Sequence, residues 1–239
     1  MRIWPVGKDA ISGEKVTITG SDARHIVTVL RKKRGDVLKV AAPDSLIYSV
    51  EIEEVADNSI VAQIKGVPLH AELKKPNISV AISICKQQAM EIAVQKCAEL
   101  GCSGFYPIVT ERSLTDKLSK NRLERLVKIA HEAEKQSGRP EGLEVTPLDT
   151  DDLPTADLKI LLWEEEKETP LREILATSIN PDSVLIVIGP KPGLSKVEVD
   201  RFVKKGFNVG SLGSLVLRVE TAVISVVSVL NYHYGRMES

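Results

Sequence analysis

The hydrophobic pattern changes period about a third of the way along the chain, and that change constrains the fold more than any single motif does. Up to about residue 70, short alternating runs at 15–19, 37–42, 47–55 and 60–67 predict a small β-rich module. One helix is expected within it. It starts at Ser21 and Asp22, carries Ile26, Val29 and Leu30 at helical spacing, and ends in Arg31, Lys32, Lys33 and Arg34 before Gly35. Residues 68–76 turn polar and Pro-punctuated, which places a boundary near 72 and predicts domains at 1–71 and 72–239. Beyond it, buried strands at 78–85, 104–109, 158–163 and 183–189 alternate with helices at 88–100, 117–136, 171–176 and 196–204. That alternation predicts an α/β domain with a mostly parallel sheet. Residues 138–154 are acidic and Pro/Gly-punctuated and predict an exposed loop, while the apolar, β-branched stretch 221–232 is long enough to favour a helix.

Composition narrows the chemistry. Aromatic residues are 4% of the chain, so the core must be built from Val, Ile, Leu and Ala, and a stacking platform for single-stranded RNA is not expected. The 32 Lys+Arg against 33 Asp+Glu exclude a uniformly cationic nucleic-acid coat. Charge is unevenly spread, however: cutting at 70 and 140 gives segments of +1, +4 and −6. In the middle segment Lys117, Arg125, Lys128 and Lys135 share one side of a helical wheel, opposite Leu118, Leu123, Leu126, Ile129 and Ala133. Such a face is either a solvated one, with Glu124 and Lys128 as an i,i+4 pair, or part of a phosphate-contacting surface together with the basic run at 31–34. The opening MRIWPVGKDA lacks the apolar run of a signal peptide and there are three cysteines, Cys85, Cys97 and Cys102, so a cytoplasmic location is expected. The apolar run at 222–230, interrupted by Ser225 and Ser228, falls short of the ~20 residues that cross a bilayer.

Neither G-x-G-x-x-G nor G-x-x-x-x-G-K-[ST] occurs, which removes support for ordinary NAD and ATP sites. The histidines, His25, His70, His131 and His233, are scattered, and with Cys97 and Cys102 they match no zinc spacing, so no metal site is expected. Two Gly-rich loops remain. The first, residues 188–195 (IGPKPGLS), lies where a buried strand gives way to a helix, the usual ligand position of an open α/β sheet. Locally, Ser195 and Glu198 also form a capping-box pattern. The second, residues 210–222 (GSLGSLVLRVETA), offers an apolar, backbone-lined slot suited to an adenine ring, and Arg218 with Glu220 reads either as a partly buried ion pair holding the loop or as functional groups of the site.

These residues carry a resemblance. Gly189-Pro190, Gly193-Leu194-Ser195, Glu198, Leu212-Gly213 and Leu217-Arg218 with Glu220-Thr221-Ala222 resemble, in order, the C-terminal signature of the RsmE family. These are 16S ribosomal RNA (uracil-N3) methyltransferases of the SPOUT class. Residues 95–101 (QKCAELG), 110–113 (TERS) and 136–139 (QSGR) resemble its central blocks, and His25 with Val29-Leu30-Arg31 and Gly35-Asp36 its N-terminal module. The chain departs from the pattern at Lys191-Pro192, where the family usually has Glu-Gly, and at Lys135, where it has Glu.

The resemblance implies a PUA-like β-barrel followed by a SPOUT α/β domain with a C-terminal trefoil knot, which general topology rules would not predict. It also implies a homodimer, S-adenosylmethionine (SAM) as cofactor and 16S rRNA of the small subunit as partner, with no membrane. Leu162, Trp163, Ile188, Gly189, Pro190, Gly193, Leu212, Gly213, Leu215, Leu217 and Arg218 are the expected cofactor-binding residues. Uracil N3 is a poor nucleophile until its proton leaves, so Arg218, Arg112 and Arg139 are expected to stabilise the imide anion, with Glu220 or Glu111 as the base. Arg24, Arg31, Lys32, Lys33, Arg34, Lys117, Arg125 and Lys128 are expected to meet RNA. Two alternatives stand beside this reading: a SPOUT methyltransferase acting on another RNA, and a non-catalytic RNA-binding relative whose cofactor loop is impaired.

Overall fold

The computed structural model describes residues 3–42, 46–56, 58–70, 76–138 and 142–237. The chain divides into two compact units. Residues 1–72 with 134–142 form the first, and 73–133 with 143–239 form the second.

The first unit is a six-stranded sheet of β1 (Ile3–Pro5), β2 (Ile11–Ser12), β3 (Lys15–Thr19), β4 (Val37–Ala41), β5 (Leu46–Ala56) and β6 (Ser59–His70), ordered β1-β4-β5-β6-β3-β2. Only β1 and β4 pair in parallel. Alternate residues point to one face, so Val16 and Ile18, Leu38 and Val40, and Val50 and Ile52 build a core closed by Trp4 and Ile26. The expected helix differs from its sequence reading. A short α1 (Gly20–Arg24) passes into a single π-helical stretch, His25–Val29, and the chain turns at Arg31, whose φ is 52°. The basic run at 31–34 therefore lies beyond the helix, and the cap is Thr19 rather than Ser21 or Asp22. The π-turn brings Ile26 inward and leaves Val29 and Leu30 exposed.

The second unit is an all-parallel sheet of β7 (Asn77–Ser83), β8 (Gly104–Ile108), β9 (Glu144–Val145), β10 (Leu158–Leu162), β11 (Ser183–Ile188) and β12 (Asn208–Gly210), ordered β12-β10-β11-β7-β8-β9. Its helices are α2 (Gln87–Glu99), α3 (Lys120–Ser137), α4 (Leu171–Thr177), α5 (Lys196–Lys204) and α6 (Val219–His233). The strands are apolar on both faces, as a sheet covered on both sides requires. Ile78, Val80, Ile82, Ile160 and Ile186 meet residues of α2, α4 and α6 in one core. Ala81, Leu161, Leu185 and Val187 meet Val199 and Phe202 of α5 in the other. β9 lies within the segment read as an exposed loop, because Glu144 and Val145 extend the sheet edge beside Gly104 and Phe105. β12 is added next to β10, so the chain reverses direction across the sheet between β11 and β12.

The cationic helix face is smaller than its wheel predicts. Lys117 precedes α3; Arg125 is held by Glu91, whose carboxyl it keeps below the usual range, and Glu124 pairs with Lys120 rather than Lys128. Lys135 pairs with Asp22 at 2.6 Å. The departure from Glu at position 135 thus completes an ion pair within the first unit. Leu126 and Ala133 are buried and Leu123 and Ile129 half-buried on the opposite side of α3, as expected, while Leu118, also buried, precedes the helix.

Candidate active site

The carboxyl ends of β10, β11 and β12 surround a cavity of about 340 Å³. It lies where the strand order reverses, the position at which open parallel sheets hold ligands. Leu162 and Trp163 reach it from β10, residues 188–193 from β11, and residues 210–217 from β12, with Val219 and Ala222 of α6 closing one side. Ten of the eleven expected cofactor residues line it; Arg218 does not.

The loop after β11 is built rigidly. Ser195 caps α5, its side chain accepting from the Glu198 N–H at 3.3 Å while Glu198 accepts from the Ser195 N–H at 2.9 Å. This capping box is the one read from sequence, and a cap of this kind contributes about 0.5–2 kcal/mol. Leu194 is buried, packing against Gly189, where a Cβ would lie 2.8 Å from its side chain. Gly193 has φ +92°, and a Cβ there would run into the Glu164 carboxylate. Gly189 is required by this close approach and Gly193 by its positive φ. Trp163 donates from Nε1 to the Leu194 carbonyl at 3.3 Å, and Lys196 Nζ lies 5.2 Å from its ring centroid.

The loop after β12 is built loosely. Ser211 Oγ bonds Gly213 at 3.1 and 3.2 Å, but residues 213–216 are exposed, with Leu215 78% and Val216 77% accessible. The Arg218–Glu220 ion pair, one of the two readings from sequence, does not form. Arg218 is exposed at the N-cap position of α6, with extended backbone, while Glu220 sits half-buried in the first helical turn, where the helix dipole already favours a carboxylate. Burial, with Glu220 nearby, pushes the Cys85 thiol up to about 11.

Arg112 is exposed and donates from Nη1 to the Pro192 carbonyl at 3.3 Å. The Glu111 side chain is exposed, and its N–H donates to Glu198 Oε1 at 2.8 Å. Arg139 lies outside the described residues. Arg24 donates to Asn58 Oδ1 at 3.2 Å; Arg31, Lys33 and Arg34 are exposed, and Lys32 Nζ lies 3.9 Å from Asp36. Lys117 and Lys128 are exposed on the second unit. Sequence reasoning missed Glu164 and the bridging role of Glu198. The signal for Glu164 was its position directly after Trp163, at the end of a buried strand. Among the described residues no His/Cys/Asp/Glu group is arranged to hold a metal, and no helix is long and apolar enough to cross a membrane.

Fold and cavity together define a two-unit protein whose larger unit is a parallel α/β domain with a ligand cavity at the reversal of its strand order. Residues 72–231 match the RNA methyltransferase domain family and residues 18–65 the RNA methyltransferase PUA domain family. The ribosomal RNA small subunit methyltransferase E of Aquifex aeolicus is 30% identical over 197 residues, covering 81% of this chain and 80% of that protein. The protein of the same name from Bacillus subtilis is 28% identical over 228 residues, covering 90% and 89%. A Legionella pneumophila structure with bound SAM superposes with a TM-score of 0.82 at 28% identity, covering 96% of each chain. The chain belongs to the family of ribosomal RNA small subunit methyltransferase E, as the match of both domains and of these relatives along nearly its full length shows.

Proposed function

We propose that the protein methylates N3 of a uridine in 16S rRNA of the small ribosomal subunit, using SAM. The observation that carries this reading is the cavity at the ends of β10, β11 and β12, joined at Pro192 to an exposed arginine. The cavity fits the cofactor. Its volume falls in the usual range for small-molecule sites, and its walls are mostly apolar side chains and loop backbone, with Gly189 and Gly193 letting Leu194 and Glu164 pack close behind the loop. SAM supplies an electrophilic methyl group when bound. The apolar residues Leu162, Leu212, Leu215 and Leu217 hold and dehydrate it, and the backbone of residues 188–193 orients it.

The chain's own part in the chemistry is alignment and anion stabilisation. N3 becomes nucleophilic as its proton leaves, and the charge then spreads over an imide that cations stabilise. Arg112 and Arg218 serve that role, with Arg139 as a further cation, and Glu111 or Glu220 takes the proton. Arg24, residues 31–34, Lys117 and Lys128 bind phosphates, with Arg125 contributing less because Glu91 already neutralises it.

The segment after β12 passes through a loop as a trefoil knot, and α6 pairs with a second copy in a homodimer. Supporting the second point, Thr221, Val229 and Tyr232 are exposed along one side of α6 at helical spacing, and Tyr232 is 81% accessible. Calorimetry with SAM and transfer of labelled methyl to small-subunit particles test the reading. Arg218→Ala is expected to bind SAM within a few-fold of wild type and to lose roughly 100-fold or more in transfer. Normal transfer by that variant removes Arg218 from the reaction, and undetectable SAM binding by the wild type overturns the reading.

A further inference from the structure

A capping box needs only one carboxylate oxygen, yet Glu198 uses both. The side chain is buried, at 6% exposure. Oε2 accepts from the Ser195 N–H at 2.9 Å, which closes the helix cap. Oε1 accepts from the Glu111 N–H at 2.8 Å, from a segment 87 residues earlier. Next to that contact, Arg112 Nη1 reaches back to the Pro192 carbonyl at 3.3 Å. The segment 110–112 and the loop 190–198 are therefore joined at two points. The segment is fixed from its other side as well: Thr110 donates from Oγ1 to Ser83 Oγ at 3.0 Å, and its N–H donates to Ser113 Oγ at 2.9 Å.

We infer that Glu198 is a positioning residue of the reaction: it locks the backbone carrying Arg112 to the loop after β11. The inference rests on the reading of that loop as the cofactor wall. An arginine on an exposed strand-end segment would otherwise wander by more than the ångström that separates productive from unproductive geometry. Only a carboxylate can do this, because both oxygens must accept; an amide at 198 sets its own N–H groups against one of the two backbone donors.

The test compares Glu198→Gln, Ser195→Ala, Arg112→Ala and the Glu198→Gln/Arg112→Ala double variant in the full-length protein. Calorimetry with SAM, melting temperature, and kcat and KM for methyl transfer to small-subunit particles are read for each. Ser195→Ala, which weakens only the cap, is expected to lower the melting temperature and leave kcat within about three-fold. Glu198→Gln is expected to lower kcat roughly 10- to 100-fold at saturating SAM, and the double variant to be no slower than Arg112→Ala alone. A Glu198→Gln enzyme whose kcat stays within about three-fold of wild type, or a double variant whose losses multiply, overturns the inference. If the Gln variant does not fold, Glu198→Asp, which keeps the charge but withdraws both oxygens by one methylene, carries the same comparison. A wild-type protein that binds no SAM overturns the cofactor reading instead, so the two failures are distinguishable.

Discussion

The two loops that wall the cavity are built on opposite principles. The loop after β11 is held by a capping box, a buried leucine, an indole N–H and an arginine from another segment. The loop after β12 is anchored at its ends, where Ser211 exchanges backbone hydrogen bonds with Thr169 and Leu171 and where Leu212 and Leu217 pack on the core, but its middle presents Leu215 and Val216 to solvent. Both are glycine-rich, so glycine content does not distinguish them. What distinguishes them is whether their neighbours can reach them. A preformed wall fixes where a ligand sits, and an open apolar wall gains its stabilisation only when something covers it.

Substitutions in the two loops should therefore separate stability from binding. The largest stability effect is expected from Leu194→Ala. It empties a buried site in the rigid loop and should cost about 2–5 kcal/mol, seen as a lower denaturant midpoint. Gly193→Ala should cost about 1–2 kcal/mol from its positive φ and force the Glu164 carboxylate on the cavity wall to move, changing SAM affinity in a calorimeter. In the open loop, Leu215→Ser with Val216→Ser should change stability by less than about 0.5 kcal/mol while weakening SAM binding several-fold. Equal stability losses in the two loops would break the comparison.

A finer expectation concerns pH. The folded state holds the Cys85 thiol protonated up to about 11, above its ordinary 9.0. Between those values the unfolded chain has released a proton that the native chain keeps, so this contribution to stability is present below pH 9 and is lost as pH rises through about 11. Cys85→Ser should flatten the alkaline arm of the stability curve, measured by denaturation between pH 8 and pH 11. An unchanged arm would place the alkaline loss elsewhere.

Legibility in the sequence followed locality. The strand at 15–19, the helix at 196–204 and the Ser195/Glu198 cap depend on neighbours within a few residues, and each stands where its pattern put it. The short strands β9 and β12 depend on partners far away in the chain and carry too few residues for a period to show. The same holds at the site. The glycines and apolar residues of both loops were visible as motifs, but the Glu198–Glu111 bridge spans 87 residues and could only be seen in three dimensions. The ion-pair reading of Arg218 and Glu220 failed for the converse reason: proximity in sequence does not bring two side chains together when one is an exposed helix cap and the other lies inside the first turn.

The most direct test is to incubate the purified protein with small ribosomal subunits and isotopically labelled SAM, digest the 16S rRNA to nucleosides and identify the labelled product by mass spectrometry. A single labelled nucleoside, N3-methyluridine, is expected from one 16S position, formed roughly 100-fold more slowly or worse when Arg218→Ala replaces the wild type. Label in a different nucleoside, label in another RNA, or no label from a protein that binds SAM would contradict it.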